Sequence, residues 1–200
     1  MATLTLITPT CGRTTLRNVA ASVVGQLRRG DEWILVADGP QPFAQTVARK
    51  ARLLTAANVV YAEVKHATSQ FGNAQRDFAL RIARGSHLCF LDDDDVWRTG
   101  AGEAFRTAAT EQPDAVHIFK AEWGPGHHWQ GILWRREAFE ESNVGTPMLL
   151  IPNRPSLPLW MAWNARGTVS DFAWMQAARG ARDVCWHPRL VATVRPEVRR

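Results

Sequence analysis

Lysine is nearly missing from this chain, with three residues against twenty-one arginines in 200. A net charge of +5 is therefore carried by planar guanidinium forks, which bind phosphate and carboxylate in pairs, although a GC-rich genome produces the same bias. No basic block exceeds two residues, which excludes an arginine-rich arm, while the sequence pI of about 9.7 meets a loose criterion for nucleic-acid binding. Long apolar runs are also lacking. The longest, such as Trp33–Ala37, stop at five residues, far short of the eighteen or so that cross a bilayer. The N-terminus has neither the basic start nor the small-residue cleavage site of a signal peptide. Cysteine is scarce and odd in number. Cys11, Cys89 and Cys185 have no metal-binding spacing, which predicts reduced thiols in a cytoplasmic protein rather than a disulfide framework.

What is present is alternation. Thr3–Ile7, Trp33–Val36 and Val59–Val64 read as strands separated by helical periodicity at Leu16–Val23 and Phe43–Leu54. A helix over Asn73–Ala83, a strand ending at Leu91 and a helix near Ala101–Thr110 follow. Such βα alternation predicts a single α/β domain over residues 1–200, Rossmann-type, with a mostly parallel central sheet flanked by helices. The second half is less regular. Strands are expected at Ala115–Phe119, Ile132–Trp134, Met148–Ile151 and Val184–His187, a helix at Phe172–Ala178, and a long ordered loop from Pro152 to Gly167.

The stretch His87-Leu88-Cys89-Phe90-Leu91-Asp92-Asp93-Asp94-Asp95-Val96-Trp97 concentrates the chemistry. One buried strand ends in four carboxylates, and open α/β sheets bind ligands beyond the carboxyl ends of their strands. Adjacent anions repel unless a cation is near, and carboxylate oxygens suit Mn²⁺ or Mg²⁺ arriving with substrate phosphates. Alternation along a strand makes Asp92-x-Asp94 the useful unit. The plainer alternative is an acidic loop capping the next helix. Two further loops should reach the same crevice, Thr8-Pro9-Thr10 with Arg13 after the first strand and Asp38-Gly39 after the second. Arg76, early on its helix, can neutralise a diphosphate.

These segments resemble the family 2 glycosyltransferases, inverting enzymes of the GT-A fold that use nucleotide-sugar donors. The resemblance runs through Thr8-Pro9-Thr10-Cys11-Gly12-Arg13, Ala37-Asp38-Gly39-Pro40, Gln75-Arg76-Asp77 and, most strongly, Leu91-Asp92-Asp93-Asp94-Asp95-Val96-Trp97. It continues through Gly131–Arg136, Ser170-Asp171-Phe172-Ala173-Trp174 and Leu190–Arg195, in the family's order. Ser170 departs from the family's usual Glu.

The resemblance implies a metal-dependent transfer of a sugar from a nucleotide-sugar donor to an acceptor hydroxyl, with inversion. Residues 1–110 would form the donor half and 111–200 the acceptor half. Asp38 would bind the base, Arg76 the diphosphate, Asp92 the ribose or base side and Asp94 the Mn²⁺ or Mg²⁺, with Asp93 a further donor-binding residue. Thr8, Pro9 and Arg13 would shape the donor loop. Asp171 would be the general base, and His187 a late metal ligand. Simpler roles stand beside these: Asp38 as a turn former, Arg76 as a solvated helix residue, Asp171 as a helix cap, His187 as a structural histidine. Trp160 and Trp163 are candidates for an acceptor pocket or for the core, and His127-His128 reads as surface loop. The acceptor is left open among a small metabolite, a lipid-linked sugar, a protein and a hydroxylated base in DNA of the phage type. Two other activities compete: a nucleotidyltransferase, disfavoured by the single glycine in Thr8–Arg13, and an inert nucleotide-sugar binding module.

Overall fold

Four strands rich in β-branched and apolar residues build one side of the sheet. In the computed structural model, which describes residues 1–65, 72–125, 132–160 and 171–195, these are β1 (Leu4–Thr10), β2 (Glu32–Asp38), β3 (Asn58–Val64) and β4 (His87–Phe90). They lie parallel in the order β3-β2-β1-β4. β1 and β4 are buried throughout, as expected of parallel strands covered on both faces. Helices α1 (Leu16–Val23), α2 (Pro42–Leu54) and α3 (Asn73–Ile82) make the crossovers. Their small and branched residues face the core: Leu16, Val19 and Val23 on α1, and Ala44, Val47, Ala48 and Ala51 on α2. Pro42 opens α2, where its fixed φ and missing N–H cost nothing.

The remaining strands change direction. β5 (Val96–Trp97), β6 (Val116–Trp123), β7 (Ile132–Leu133), β8 (Leu149–Pro152) and β9 (Val184–Val194) extend the sheet to the order β3-β2-β1-β4-β8-β6-β9-β5, with β7 on β6. β8 runs antiparallel to both β4 and β6, β5 antiparallel to β9, and β6 parallel to β9. The sheet is therefore mixed, which corrects the expectation of a mostly parallel one. β8 is a fully buried Leu-Leu-Ile-Pro run, and burial on both faces gives the same apolar signature whichever way a strand points. β9 is longer than its expected segment. Its pairing with β6 slips between Phe119 and Ala121, where His187 faces Phe119 and Leu190 faces Lys120. Pro188, which cannot donate to a ladder, falls in that slip.

Helix α4 (Ala101–Glu111) covers the second half, and α5 (Asp171–Arg179) precedes β9. Two aromatic groups fill the core. Trp97, Phe105 and Phe119 pack edge to face. Trp160 stacks on Trp174 at 4.1 Å and 15°, with Phe90 against both. No helix among the described residues is long and apolar enough to cross a membrane.

Candidate active site

The acidic run forms a tight turn rather than a loop into a helix: the Asp95 N–H donates to the Asp92 carbonyl, and β5 follows at once. The turn is a ridge between two cavities. The smaller, about 460 Å³, lies over the ends of β1, β2 and β4 and is lined by Pro9, Arg13, Asp38, Arg76, Asp92, Asp93, Asp94 and Asp171. The larger, about 700 Å³, is lined on its far wall by Trp123, Trp134, Arg135, Arg136 and the segment from Glu140 to Pro147. Asp92, Asp94, Asp171 and Arg195 border both.

Each carboxylate of the turn has its own environment. Asp93 is buried against the first loop, accepting from the Thr10 hydroxyl at 2.7 Å, the Cys11 N–H at 3.2 Å and Arg13 Nη1 at 2.8 Å. Burial raises its pKa, and the Thr10 hydroxyl and Arg13 oppose that rise. The Thr15 hydroxyl fixes the same turn by donating to the Asp93 carbonyl at 2.8 Å. Asp94 meets Arg13 Nη1 at 3.1 Å and Arg195 Nε at 3.6 Å. Asp95 is pushed well above the usual carboxylate range by burial and by Asp92 and Asp94, and it accepts the Arg195 N–H at 3.0 Å. Asp92, more exposed, takes Arg76 Nη2 at 2.5 Å.

Arg76 is one of the deepest charges in the molecule, with its side chain 1 % exposed. Its other terminal nitrogen points to Asp171 at 3.9 Å, and its guanidinium lies 4.9 Å over the Trp160 ring. Gly72, at φ +83°, leads into this helix, and a Cβ there would sit 2.8 Å from Pro9. Asp171 is the first residue of α5. Burial raises its pKa, Arg76 lowers it and Asp92 raises it again.

The structure thus gathers most of the expected donor and catalytic residues around one cleft. Two it does not bring there. The Thr8 side chain is buried and accepts from the Trp33 indole at 3.0 Å, so it braces β1 against β2. His187 lies in β9 beside Phe119 and contacts His117 at 3.0 Å, lining neither cavity. β9 reaches the cleft only at its other end, through Val194 and the Arg195 that follows it, so the structure does not join His187 to the acidic turn. Trp160 belongs to the core beneath Arg76 rather than to a pocket wall. Trp163, Ser170 and His127-His128 lie outside the described residues. Sequence reasoning gave no site role to Arg195, Trp123, Trp134 or Arg135. The available signals were Arg195 closing the last matched segment, and Trp134 and Arg135 within the matched Gly131–Arg136.

Among the described residues, no three His, Cys, Asp or Glu side chains are grouped to hold a metal ion by themselves. A hard divalent ion needs less than that, because Mg²⁺ commonly takes one or two carboxylates and completes its shell with phosphate and water. Asp94, an oxygen donor facing both cavities, fits that requirement.

Solved structures share this architecture. S. aureus TarS 1–349 in complex with UDP-GlcNAc superposes with a TM-score of 0.73 at 14% identity, covering 97% of this chain and 58% of that one. TarS 1–349 in another crystal structure gives 0.71 at 15%, covering 96% and 60%. Its complex with UDP gives 0.67 at 14%, covering 96% and 60%. The chain therefore spans at most about three fifths of these TarS structures, and at such identity the likeness establishes the fold. No curated protein sequence matches it. The family model described as glycosyl transferase family 2 matches residues 5–176, from β1 into α5 and across the whole acidic ridge, and the chain belongs to that family.

Proposed function

We propose that this protein is an inverting, metal-dependent glycosyltransferase whose nucleotide-sugar donor occupies the smaller cavity and whose acceptor enters the larger one. The observation that carries this reading is the ridge: Asp92, Asp94 and Asp171 border both cavities, so a reacting carbon held there is open from two sides. TarS structures with UDP and UDP-GlcNAc support a uridine diphosphate donor. Asp38, at the end of β2, lines the smaller cavity and would accept the N–H of a base edge. Arg13 and Arg195, partly exposed beside Asp94, are the cations available to a diphosphate. Asp94 would hold the Mn²⁺ or Mg²⁺, which as a Lewis acid offsets charge on the departing diphosphate. Asp171 takes the proton of the acceptor hydroxyl, which then displaces the nucleotide from the opposite face of the anomeric carbon. Residues 1–110 supply the donor wall and residues 111–200 most of the acceptor wall. The free thiols of Cys11, Cys89 and Cys185 support a cytoplasmic site of action.

The test is release of UDP from UDP-GlcNAc and other UDP-sugars, with water or an added acceptor, in the presence and absence of Mn²⁺. Wild type should turn over with metal, and Asp171→Asn should lose about 10²–10⁴-fold while still binding UDP. Full activity in Asp171→Asn, or no turnover of any nucleotide sugar by wild type, would overturn the reading.

A further inference from the structure

Arg76 borders the smaller cavity and is set for an interaction besides the diphosphate contact its motif implies. A guanidinium 1 % exposed has little surface to offer a ligand, and its two terminal nitrogens already face Asp92 at 2.5 Å and Asp171 at 3.9 Å. Its surroundings are built around that fork. The Trp160 ring lies under the guanidinium, and the Trp160 N–H donates to the Asp77 carboxylate, so consecutive residues of α3 grip one tryptophan by face and backbone. Trp160 in turn stacks on Trp174, whose indole donates to the Pro158 carbonyl at 2.9 Å. Trp174 stands three residues after Asp171 on α5, on the same helix face. The order from α3 to α5 is thus cation, ring, ring, with the carboxylate that begins α5 returned to the cation.

We propose that Arg76 is a positioning residue for Asp171. The buried fork and the Trp160–Trp174 stack fix where the general base stands, and the cation keeps it ionised beside Asp92. The proposal rests on Asp171 being the base of the reaction above. Arg76 borders the smaller cavity with only 1 % of its side chain exposed. It acts through the carboxylate, and through Asp92 it ties the donor wall to the base. The charged groups facing Asp171 are Arg76 from α3 and Asp92 from the turn after β4, with the Trp160 side chain as a neutral hydrogen-bonding partner.

Carboxyl ¹³C NMR titration of the ligand-free protein reads the base directly, with Asp171 assigned by its loss in Asp171→Asn. Arg76→Gln should move the Asp171 titration to higher pH, and Arg76→Lys should recover part of that shift. Asp92→Asn, at a more exposed position, should move it to lower pH and serves if Arg76→Gln does not fold. In turnover of UDP-GlcNAc, the acid limb of kcat should follow the same order, with KM for the donor little changed in the Arg76 variants. An unmoved Asp171 titration in a natively folded Arg76→Gln, or in Asp92→Asn, would overturn the proposal. A raised donor KM with a fixed acid limb would do the same. Because the titration needs no substrate, a failure to find turnover would count against the glycosyltransferase reading and leave this one separately decided.

Discussion

The two walls of the cleft are made by different means. The smaller cavity sits on the ends of β1, β2 and β4, three parallel neighbours in continuous register. Where its backbone needs a left-handed conformation, glycine provides it, at Gly12, Gly39 and Gly72. The larger cavity is walled by the segment after the two-residue β7 and by the end of β9. There the left-handed residues are Trp134 at φ 74°, Ser142 at 68° and Arg195 at 48°, the non-glycine positions with positive φ among the described residues. Such conformations cost free energy and persist where their surroundings over-determine them, often at ligand-binding sites. The donor wall is thus a property of the regular sheet. The far wall is irregular structure held in place by contacts such as Trp134 on Trp186 and the Asn143 side chain on Arg136 and Ala138.

A third region, which lines neither cavity, adds a pH response of its own. His117 Nε2 donates to the Gln112 carbonyl at 2.9 Å, which leaves Nδ1 to accept from His187 Nε2 at 3.0 Å. Burial lowers the His117 pKa to about 4, with His87 and His187 adding to the effect. As pH falls through about 6.5 toward 4, the unfolded chain takes up a proton that the folded one refuses, so stability is lost in that window and is full above it. Asp93 and Asp95, both raised, work the opposite way, so the informative quantity is a difference. Urea melts should show wild type losing up to about 3 kcal/mol more than His117→Phe between pH 7 and pH 4. Parallel curves would remove the histidine pair from the account.

Smaller effects separate the walls themselves. Gly72→Ala forces a side chain into a left-handed conformation and against Pro9, and should cost at least about 1–2 kcal/mol in a denaturant melt, with weakened UDP binding. Ser142→Gly, on the opposite wall, relieves a strained residue while loosening the unfolded chain. Its net change should stay within about 1 kcal/mol, and UDP binding should not move. Equal losses from the two would mean the walls do not differ as described.

The same contrast explains what could be read from the residues. The loops of the donor wall were legible because each follows a continuous apolar strand and a clear turn signal, as at Asp38-Gly39 and at Leu91-Asp92. Asp171 was placed by its match to a motif, and its role as first residue of a helix does not compete with its place in the cleft. Strand direction was not legible, since burial makes the apolar run of β8 look like that of the parallel β2. Nor was the far wall. β7 has two residues, β5 two more, and the arrival of Arg195 beside Asp94 depends on a register slip around Pro188 that no periodicity records. Trp160 was open between pocket and core, and the Trp174 stack decides for the core.

The central claim is that nucleotide and acceptor occupy opposite sides of the acidic ridge. Thermal stabilisation by UDP with Mn²⁺ tests it most directly in three proteins: wild type, Asp38→Ala on the donor wall and Arg135→Ala on the far wall. UDP at about a hundred times its dissociation constant should add roughly 2.7 kcal/mol to wild type. The account predicts that Arg135→Ala keeps this stabilisation and Asp38→Ala loses most of it. Retention in Asp38→Ala together with loss in Arg135→Ala would put the nucleotide in the other cavity and contradict it.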